Sequence, residues 1–536
     1  MKPEQQIIRF GIMTDQLQLK NWQIKSIERL LEVEGNELVV IFLPQMAKSY
    51  DASGLPIGFR FLERQLRKLY LLQTASIEDK FKSIPKEQLK VNKKGFSNYI
   101  DDKGLKQIES YQLDVILRFG FGIIRGEVLD IPTYGIWSFH HGNPEQFRGG
   151  PPAFWEFLQE KSTNGLILQR LTNELDAGII LRQARIKRVS HSFLAHNDRL
   201  CSVSIDFPRW VADAIRNNQP GLFENKITQK GPIYKVPSNW KVLMFYLKLF
   251  KSKIAFHYQQ LFQFEVWNVG VTPYNDLSQI NWAPQPNKST YQADPFMDKH
   301  GNVYFELYDY RTGKGSIAAR TFKNNAWSDL NTILSTEVHY SYPFVLEIGE
   351  KQYLLPEQYQ SNEVVIYELN QGQLLHKKHL LKGDWVDATI HEYDGLFWLF
   401  CSPHQHSNEE LYLFYADSIT DNYQPHPLNP IKVDISGSRP GGKLFTDDQG
   451  RLIRPSQNST HTYGGSITLN HITSLSPTNY REERVGAVNP EKDSRYNKAL
   501  HTFSYEGNYA IIDGKTYRFI WSAFIKELKR KFKRLV

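Results

Sequence analysis

A pattern repeated five times in the second half of the chain most limits what it can fold into. In each copy, a polar residue opens a short apolar run, a turn follows, and a second apolar run comes after the turn. The copies begin at Asp294, Tyr342, Asp387, Arg439 and His501, roughly 45 to 60 residues apart. This period is typical of a four-stranded sheet, since each strand with its turn takes about 8 to 12 residues. The sequence therefore predicts an all-β five-bladed propeller over residues 262–515.

The residue that opens each copy is predicted to be the first of an innermost strand and to point into a central channel. The five side chains would then surround one funnel, with Glu357 beside them. Such a ring can bind a sugar, and two carboxylates across a pocket can hydrolyse a glycosidic bond. The acids can instead pair with Arg439 and hold the sheets together. The sequence alone leaves these three hypotheses open.

The first part of the chain has a different pattern. Residues 7–13 and 38–43 are apolar runs with strand character, and residues 22–33 between them have helical periodicity. Residues 113–120 indicate a buried parallel strand, and residues 123–129 are predicted to form the helix after it. This alternation predicts a doubly wound, mostly parallel α/β sheet. It carries no G-x-G-x-x-G fingerprint, so no dinucleotide is expected.

A histidine and a rigid loop follow the next predicted strand, residues 134–139. His140 stands at the strand end, and the Gly- and Pro-rich loop after it contains Arg148-Gly149 and Pro152. A strand followed by such a loop commonly builds a site at the carboxyl edge of an α/β sheet. The histidine can move protons near neutral pH, and Asp176 can fix its tautomer or position a water.

This combination resembles the 10-formyltetrahydrofolate-dependent formyltransferases, which include methionyl-tRNA formyltransferase, glycinamide ribonucleotide transformylase and sugar N-formyltransferases. Their pattern is Asn-x-His, a loop with Arg-Gly and Pro, then Asp-x-Gly. The resemblance implies that His140 is the general acid and base and that Asp176 orients it or a water relay. The chain departs from the pattern at Ser138, the third predicted catalytic residue, which would contact the formyl oxygen where the family's Asn donates to it. In other enzymes, removing one hydrogen-bond donor to the developing oxyanion lowers the rate by about 100- to 1,000-fold.

The resemblance also implies a cofactor and its contacts. The cofactor is 10-formyltetrahydrofolate, and the residues expected to contact it are Arg118, Gly120, Arg148, Gly149 and Gly178. His141 is expected to contact the substrate. It is also expected to supply the hydrogen-bond donor that the family's Asn provides, since this chain has Ser138 at that position.

The repeated units resemble the propellers of arabinanase-type glycosidases and, more closely, that of the plant glucosamine inositolphosphorylceramide transferases. The shared signatures are Asp-Pro-Phe, Tyr-Pro-Phe, Pro-Glu, Arg-Pro and His-Thr-Phe, which stand here at residues 294–296, 342–344, 356–357, 439–440 and 501–503. The resemblance implies a glycan site formed by Asp294, Tyr342, Glu357, Asp387, Arg439 and His501.

Composition excludes several classes of protein. The 536 residues include two cysteines, which is typical of a reducing compartment and argues against a disulfide framework. No His, Cys and acid cluster stands out, so no metal is predicted. The net charge of +8 is largely local, because residues 520–536 carry six Lys or Arg and one Glu. The remainder is not basic enough to predict a nucleic-acid partner.

The end of the chain is predicted to be a basic amphipathic helix. Its aromatic and aliphatic residues alternate with lysines and arginines, a pattern typical of helices that lie on anionic lipid. Packing on the protein's own surface is the alternative. The start of the chain lacks the apolar core of a signal peptide, and no apolar run is long enough to cross a bilayer.

These observations predict a cytoplasmic protein, peripheral at the inner face of a membrane. Its regions are a formyltransferase-like domain (1–215), a linker with an inter-domain helix (216–261), a propeller (262–515) and a basic C-terminal helix (516–536). The predicted function is N-formylation of an amino-sugar acceptor in surface-glycan synthesis, with the propeller binding the glycan. The alternatives are a non-catalytic glycan-binding protein and a glycosidase or glycosyltransferase acting through the propeller. The sequence determines neither the acceptor nor the oligomeric state.

Overall fold

The computed structural model describes residues 7–45, 54–174, 177–274 and 276–533. The chain divides into two compact units, the first ending at Lys253 and the second beginning at Ile254. The boundary falls inside a long helix, Asn239–Phe262. None of the helices in the described ranges is both long and apolar enough to span a lipid bilayer.

The first unit combines strands and helices. Its strands are β1 Ile8–Met13, β2 Gln18–Lys20, β3 Asn36–Pro44, β4 Thr74–Ser76, β5 Lys86–Leu89, β6 Val91–Lys94, β7 Ser97–Ile100, β8 Val115–Arg118, β9 Ile123–Ile124, β10 Ile136–His140, β11 Arg148–Gly149, β12 Thr163–Arg170, β13 Ile179–Lys187 and β14 Ile233–Tyr234. Its helices are α1 Asn21–Leu31, α2 Ile57–Leu66, α3 Asp102–Ser110, α4 Phe154–Leu158, α5 Phe193–Ser204, α6 Phe207–Arg216 and the first part of α7 Asn239–Phe262.

A seven-stranded sheet forms the centre of this unit, in the order β13-β12-β10-β8-β1-β3-β5. The five strands from β10 to β5 are parallel, β12 runs antiparallel to them, and β13, antiparallel to β12, runs in their direction again. From β1 the chain proceeds in one direction to β3 and β5, and later in the other direction through β8 and β10. Ligands of such sheets bind at the carboxyl ends of the strands near this reversal. The predicted mostly parallel α/β sheet is confirmed.

Two local predictions need correction or refinement. The predicted helix at residues 123–129 is instead the short strand β9, paired with β7, followed by a 3₁₀ turn at Glu127–Asp130. Gly126 has a φ of 91°, which separates the strand from the turn and breaks a helix. The segment predicted as a linker contributes β14, which pairs with β11.

The second unit is built almost entirely of strands. In chain order they are β15 Phe264–Pro273, β16 Asn281–Trp282, β17 Thr290–Met297, β18 Asn302–Asp309, β19 Lys314–Lys323, β20 Ala326–Trp327, β21 Asn331–Leu334, β22 Ser341–Ile348, β23 Lys351–Glu357, β24 Glu363–Asn370, β25 Gln373–Lys382, β26 Trp385–Tyr393, β27 Leu396–Pro403, β28 Glu410–Ala416, β29 Gln424–Pro425, β30 Lys432–Val433, β31 Phe445–Thr446, β32 Leu452–Asn458, β33 Ser466–Ser476, β34 Asn479–Val488, β35 Phe503–Glu506 and β36 Tyr509–Arg518. The helix α8, Trp521–Lys533, follows the last strand.

The described strands of this unit form five antiparallel sheets of four or five strands. Four of them, β17–β21, β22–β25, β26–β30 and β31–β34, are each made from consecutive strands. The remaining one, here called the closing sheet, contains β15, β16, β35 and β36 and so joins the start of the unit to its end. The all-β prediction for this part of the chain is confirmed.

Candidate functional site

The strand β10 carries two of the predicted catalytic residues at the carboxyl edge of the central sheet. Ser138 and His140 are two residues apart and therefore lie on the same face of the strand. On the neighbouring strand β8, Arg118 is in register with Ser138, and its Nη1 donates a 2.8 Å hydrogen bond to the Ser138 hydroxyl. The structure therefore places Arg118 against Ser138, with His140 further along the same face of β10, and their catalytic roles stay predictions.

The hydroxyl of Ser138 is positioned to donate a hydrogen bond. The residue is only 3% exposed, and its Oγ accepts from the cationic guanidinium of Arg118. A hydroxyl has one proton and two acceptor sites, so this contact leaves the Ser138 proton available for another acceptor. A neighbouring cation also strengthens the hydroxyl as a donor.

The ring of His140 is held by the loop that follows it. Its Nε2 lies 2.8 Å from the carbonyl oxygen of Phe147. Because a carbonyl only accepts, Nε2 carries the hydrogen, and Nδ1 of the neutral ring carries the lone pair. The loop approaches closely at Gly142, where a Cβ would stand 3.0 Å from His140 Nε2 and 3.1 Å from the Phe147 oxygen.

The predicted partner of His140, Asp176, lies outside the described residues. Gly178, which follows it, donates its N–H to the side chain of Gln169 at 3.1 Å. A Cβ at Gly178 would overlap the carbonyl oxygen of Arg170. The glycine therefore lets the start of β13 approach β12 closely.

The other predicted cofactor contacts pack against the protein's own backbone. A Cβ at Gly120 would stand 2.7 Å from the backbone nitrogen of Asp15, and one at Gly149 would overlap the carbonyl of Tyr234. Arg148 donates from Nε to the carbonyl of Gly231 at 2.6 Å. These contacts shape the loops at the carboxyl edge, and a role of the same residues in cofactor binding stays a prediction.

His141 lies on the opposite face of β10 from Ser138, so it does not supply the donor expected of it there. Its ring packs against Trp22, with centroids 5.3 Å apart, and its Nε2 lies 2.8 Å from the Ser204 hydroxyl. Burial, with the neighbouring charges of His140 and Lys20, lowers the pKa of His141 to about 3. Adjacent residues of a strand point to opposite faces, which is why His140 and His141 are separated.

Sequence reasoning missed a buried acid beside His140. Glu156, in the short helix α4, is 3% exposed, and burial raises the pKa of its carboxyl to about 7. A Cβ at Gly142 would stand 3.6 Å from Glu156 Oε1 and 3.0 Å from His140 Nε2, so both groups flank this glycine. The signal in the sequence is one acid within the apolar run Phe154–Leu158.

In the second unit, three predicted residues occupy equivalent and unusual backbone positions. Asp294, Tyr342 and Asp387 have φ values of 54°, 43° and 51°. Each lies at a register shift inside its strand, β17, β22 or β26. The expectation that they are the first residues of their strands is therefore wrong. A bulge twists its strand and redirects one side chain, and a positive φ at such residues is strained.

Asp387 joins three neighbouring sheets. Its carboxylate accepts from Arg439 Nη2 at 3.2 Å and from Gln457 Nε2 at 2.9 Å, and its backbone N–H donates to Glu357 at 3.2 Å. Burial, and next the charge of Asp387, raises the pKa of Glu357 well above its usual range. The protonated form of Glu357 is therefore favoured more than in an exposed glutamate.

A second group of contacts surrounds His501. Its Nδ1 lies 2.5 Å from Asp513 and its Nε2 lies 3.5 Å from Asp294, and the ring stacks on Trp267 with centroids 3.8 Å apart. Burial disfavours the charged ring, but the two carboxylates outweigh it and raise the pKa of His501. Ligand atoms of Asp294, His501 and Asp513 lie within 4.8 Å of one another, a spacing that could hold a metal ion. Sequence reasoning missed Asp513 because it lies on β36, outside the repeated motif.

The six predicted glycan residues and Asp513, here called the central cluster, are thus brought together. Tyr342 completes it, because its backbone N–H donates to the Asp294 carboxylate at 3.3 Å. The side chains of Asp387 and His501 are only 3% exposed, whereas Arg439 is 12% exposed. The charges are paired within the cluster, which favours a role in holding the sheets together over hydrolysis.

Comparison with known proteins finds separate relatives for the two parts of the chain. Residues 274–505 match the family described as Glucosamine inositolphosphorylceramide transferase 1, N-terminal. The protein of that name from Oryza sativa subsp. japonica is 34% identical over 210 residues, which are 37% of this chain and 28% of the relative. The one from Arabidopsis thaliana is 34% identical over 211 residues, 37% of this chain and 27% of the relative. The match spans little more than a quarter of the length of these relatives.

The formyltransferase-like relatives include methionyl-tRNA formyltransferase of Fusobacterium nucleatum, which is 31% identical over 124 residues, 23% of this chain and 40% of that protein. Among solved structures, a sugar N-formyltransferase from Shewanella covers 45% of this chain and 87% of its own, with 13% identity and a TM-score of 0.28. A thermostable family-43 glycoside hydrolase covers 39% of this chain and 77% of its own, with 10% identity and a TM-score of 0.30. The N-terminal region is formyltransferase-like, and the C-terminal region resembles the inositolphosphorylceramide transferase family.

Replacing Glu156 with Gln is expected to stabilise the protein at alkaline pH. The folded-state pKa of Glu156, about 7, exceeds the ordinary 4.5. Burial of this carboxyl therefore does not lower the free energy of unfolding below pH 4.5, and it lowers that free energy progressively as the pH rises through 7. At pH 8 the gain in the free energy of unfolding should be on the order of 3 kcal/mol. Urea unfolding at pH 4.5 and pH 8 measures it, with the exposed Glu145→Gln as control. An equal effect of both substitutions at pH 8 would contradict the prediction.

Replacing Asp387 with Asn is expected to destabilise the second unit by about 3 to 5 kcal/mol, because the Arg439 charge loses its buried partner. The exposed Asp394→Asn, on the turn after β26, should change the free energy of unfolding by less than about 0.5 kcal/mol. Urea unfolding of the full chain, followed by tryptophan fluorescence, compares the two variants. Equal midpoints would show that the pair does not stabilise the fold.

Proposed function

We propose that the first unit transfers a formyl group from 10-formyltetrahydrofolate to the amino group of a sugar-containing acceptor. The observation that carries this proposal is the grouping of Arg118, Ser138 and His140 at the carboxyl edge of the sheet. This grouping stands in a region whose relatives include methionyl-tRNA formyltransferases. The acceptor is proposed from the second unit, whose relatives are named for glucosamine and inositolphosphorylceramide.

The residues present provide the hydrogen-bond donor and the base that formyl transfer requires. Transfer to an amine requires a hydrogen-bond donor for the oxygen on which negative charge develops and a base for the amine proton. Ser138 retains a proton to donate, and His140 retains a lone pair at Nδ1. When bound, 10-formyltetrahydrofolate supplies the formyl carbon already activated on a nitrogen leaving group.

Each residue then has a defined part. Ser138 stabilises the developing oxyanion, and the charge of Arg118 strengthens its hydrogen bond. As the bond from the formyl carbon to the amine forms and its bond to the leaving nitrogen breaks, His140 would take the amine proton at Nδ1 and pass it to that nitrogen, while the Phe147 carbonyl fixes the ring. Glu156, with a pKa of about 7, can exchange protons near neutral pH on the other side of Gly142. Asp176 keeps the role of orienting His140 or a water.

We further propose that the second unit is a five-bladed propeller that binds the glycan part of the acceptor. Its five consecutive antiparallel sheets and the pairing of β36 with β15 support this architecture. Arg439, whose side chain is 12% exposed, is the proposed contact of the central cluster with the glycan. Hydrolysis has less support, since Asp294 and Asp387 are paired with His501 and Arg439.

A non-catalytic glycan-binding protein is the second candidate. The burial of Ser138 and its position where formyltransferases carry Asn favour this alternative. Under either proposal we place the protein in the cytoplasm, since Cys201 and Cys401 are both free thiols and thiols stay reduced there.

Replacing His140 with Ala is expected to lower the turnover number for formyl transfer by about 100- to 10,000-fold, because the amine loses its base. Binding of a non-transferring 10-formyltetrahydrofolate analogue should persist. Calorimetry measures the binding, and transfer to nucleotide- and lipid-linked amino sugars measures the turnover. His376→Ala, in the exposed part of β25, is the matched control. A folded wild type that does not bind the analogue would overturn the proposal and favour the non-catalytic alternative.

Replacing Ser138 with Ala should leave the same analogue bound and slow transfer by about 100-fold, because one oxyanion donor is lost. The KM for the acceptor should change little, since the contact strengthens only as charge develops. An unchanged turnover number would show that Ser138 takes no part in the reaction.

A further inference from the structure

The last helix of the chain has an exposed apolar stripe. Trp521, Ile525 and Phe532 are 69%, 48% and 65% exposed, and at 3.6 residues per turn they lie on one face of α8. A different face of the helix is covered: Ala523 is buried, and Phe524 packs against Phe262 with ring centroids 5.8 Å apart. The helix therefore already packs on the protein, and the stripe remains in addition to that contact.

The end of α7 lies beside α8 and has a similar stripe. Ile254 and Tyr258, four residues apart, are both more than half exposed. Phe262, one turn further on, packs against Phe519 as well as Phe524. Within the second unit, two adjacent helices thus expose apolar side chains together.

Basic residues flank the stripe of α8. Lys526, Lys529, Arg530 and Lys533 are exposed and follow one another along the flank next to Trp521 and Ile525. Arg530 is paired with Glu527 at 2.7 Å, and Lys526 lies 3.4 Å from the carbonyl of Thr312. Among the described residues, Glu527 is the one acid of α8. The surface is therefore apolar along its centre and positively charged along one side.

We propose that these two helices form a peripheral membrane site that takes the surface of an anionic phospholipid bilayer. The apolar stripe would enter the boundary between headgroups and acyl chains, and the basic flank would contact the phosphates. A tryptophan is suited to this depth, since its ring is apolar and its N–H is polar. A second copy of the chain is a poorer occupant, because two such basic flanks would repel each other. The site is independent of the proposed formyl transfer.

Sedimentation of the full chain with vesicles tests the proposal. We expect the protein to sediment with vesicles of phosphatidylcholine and phosphatidylglycerol, and at least about tenfold less with phosphatidylcholine alone. Trp521→Ser with Phe532→Ser should reduce binding to the mixed vesicles by about tenfold or more. Lys529→Gln with Lys533→Gln should reduce it by a similar factor and weaken its dependence on salt.

Matched controls come from exposed residues of the same unit. Leu375→Ser with Tyr393→Ser removes comparable apolar area, and Lys377→Gln with Lys378→Gln removes the same charge. Both control variants should bind vesicles as the wild type does, and circular dichroism checks that all variants fold. Binding that is absent in the wild type, or equally reduced in the controls, would overturn the proposal. Dimerisation that is lost in Trp521→Ser with Phe532→Ser, without vesicle binding, would assign the surface to a second copy instead.

Discussion

The antiparallel pairing of β36 with β15 is the contact on which the second unit depends. It runs from Phe264 opposite Arg518 to Pro273 opposite Tyr509 and joins the two ends of the unit in one sheet. An open end would expose a row of unpaired backbone groups, which is a hazard for aggregation. The same pairing carries Asp513 to the centre, where it meets His501 and Asp294. Closure of the unit and assembly of the central cluster are therefore one event.

Charge pairing then limits the chemistry of that centre. Burying Arg439 and Asp387 removes both from water, and the hydrogen bonds between them offset this penalty only in good geometry. Burial raises the pKa of Glu357 beside them, and at His501 two carboxylates outweigh burial and raise the pKa of the ring. Glycoside hydrolysis needs a protonated acid and a carboxylate that both reach the sugar. A centre whose carboxylates are engaged with cations is better suited to holding the sheets together than to hydrolysis.

In the first unit, unlike the central cluster, a buried acid lowers stability at a position suited to chemistry. The register of β8 with β10 aligns Arg118 with Ser138, so the donor exists only because the two strands pair in parallel. Glu156 is buried with no compensating cation among the described residues, and its raised pKa means that it costs stability at neutral pH. Such a cost is typical of functional positions. The acid stands beside His140, where a group that titrates near pH 7 is useful.

The sequence by itself determined the strands β1, β3, β8 and β10 of the central sheet, the place of His140 at a strand end and the all-β character of the second half, because these follow from local periodicity. It failed where distant segments decide. The bulges at Asp294, Tyr342 and Asp387 depend on neighbouring strands, and pairing with β7 makes residues 123–124 a strand where a helix was predicted. The partners Asp513 and Gln457, the depth of Glu156 and the face occupied by His141 arise only when strands far apart in sequence pair. Burial and pairing over such distances belong to the tertiary structure, since no local pattern records which segments meet.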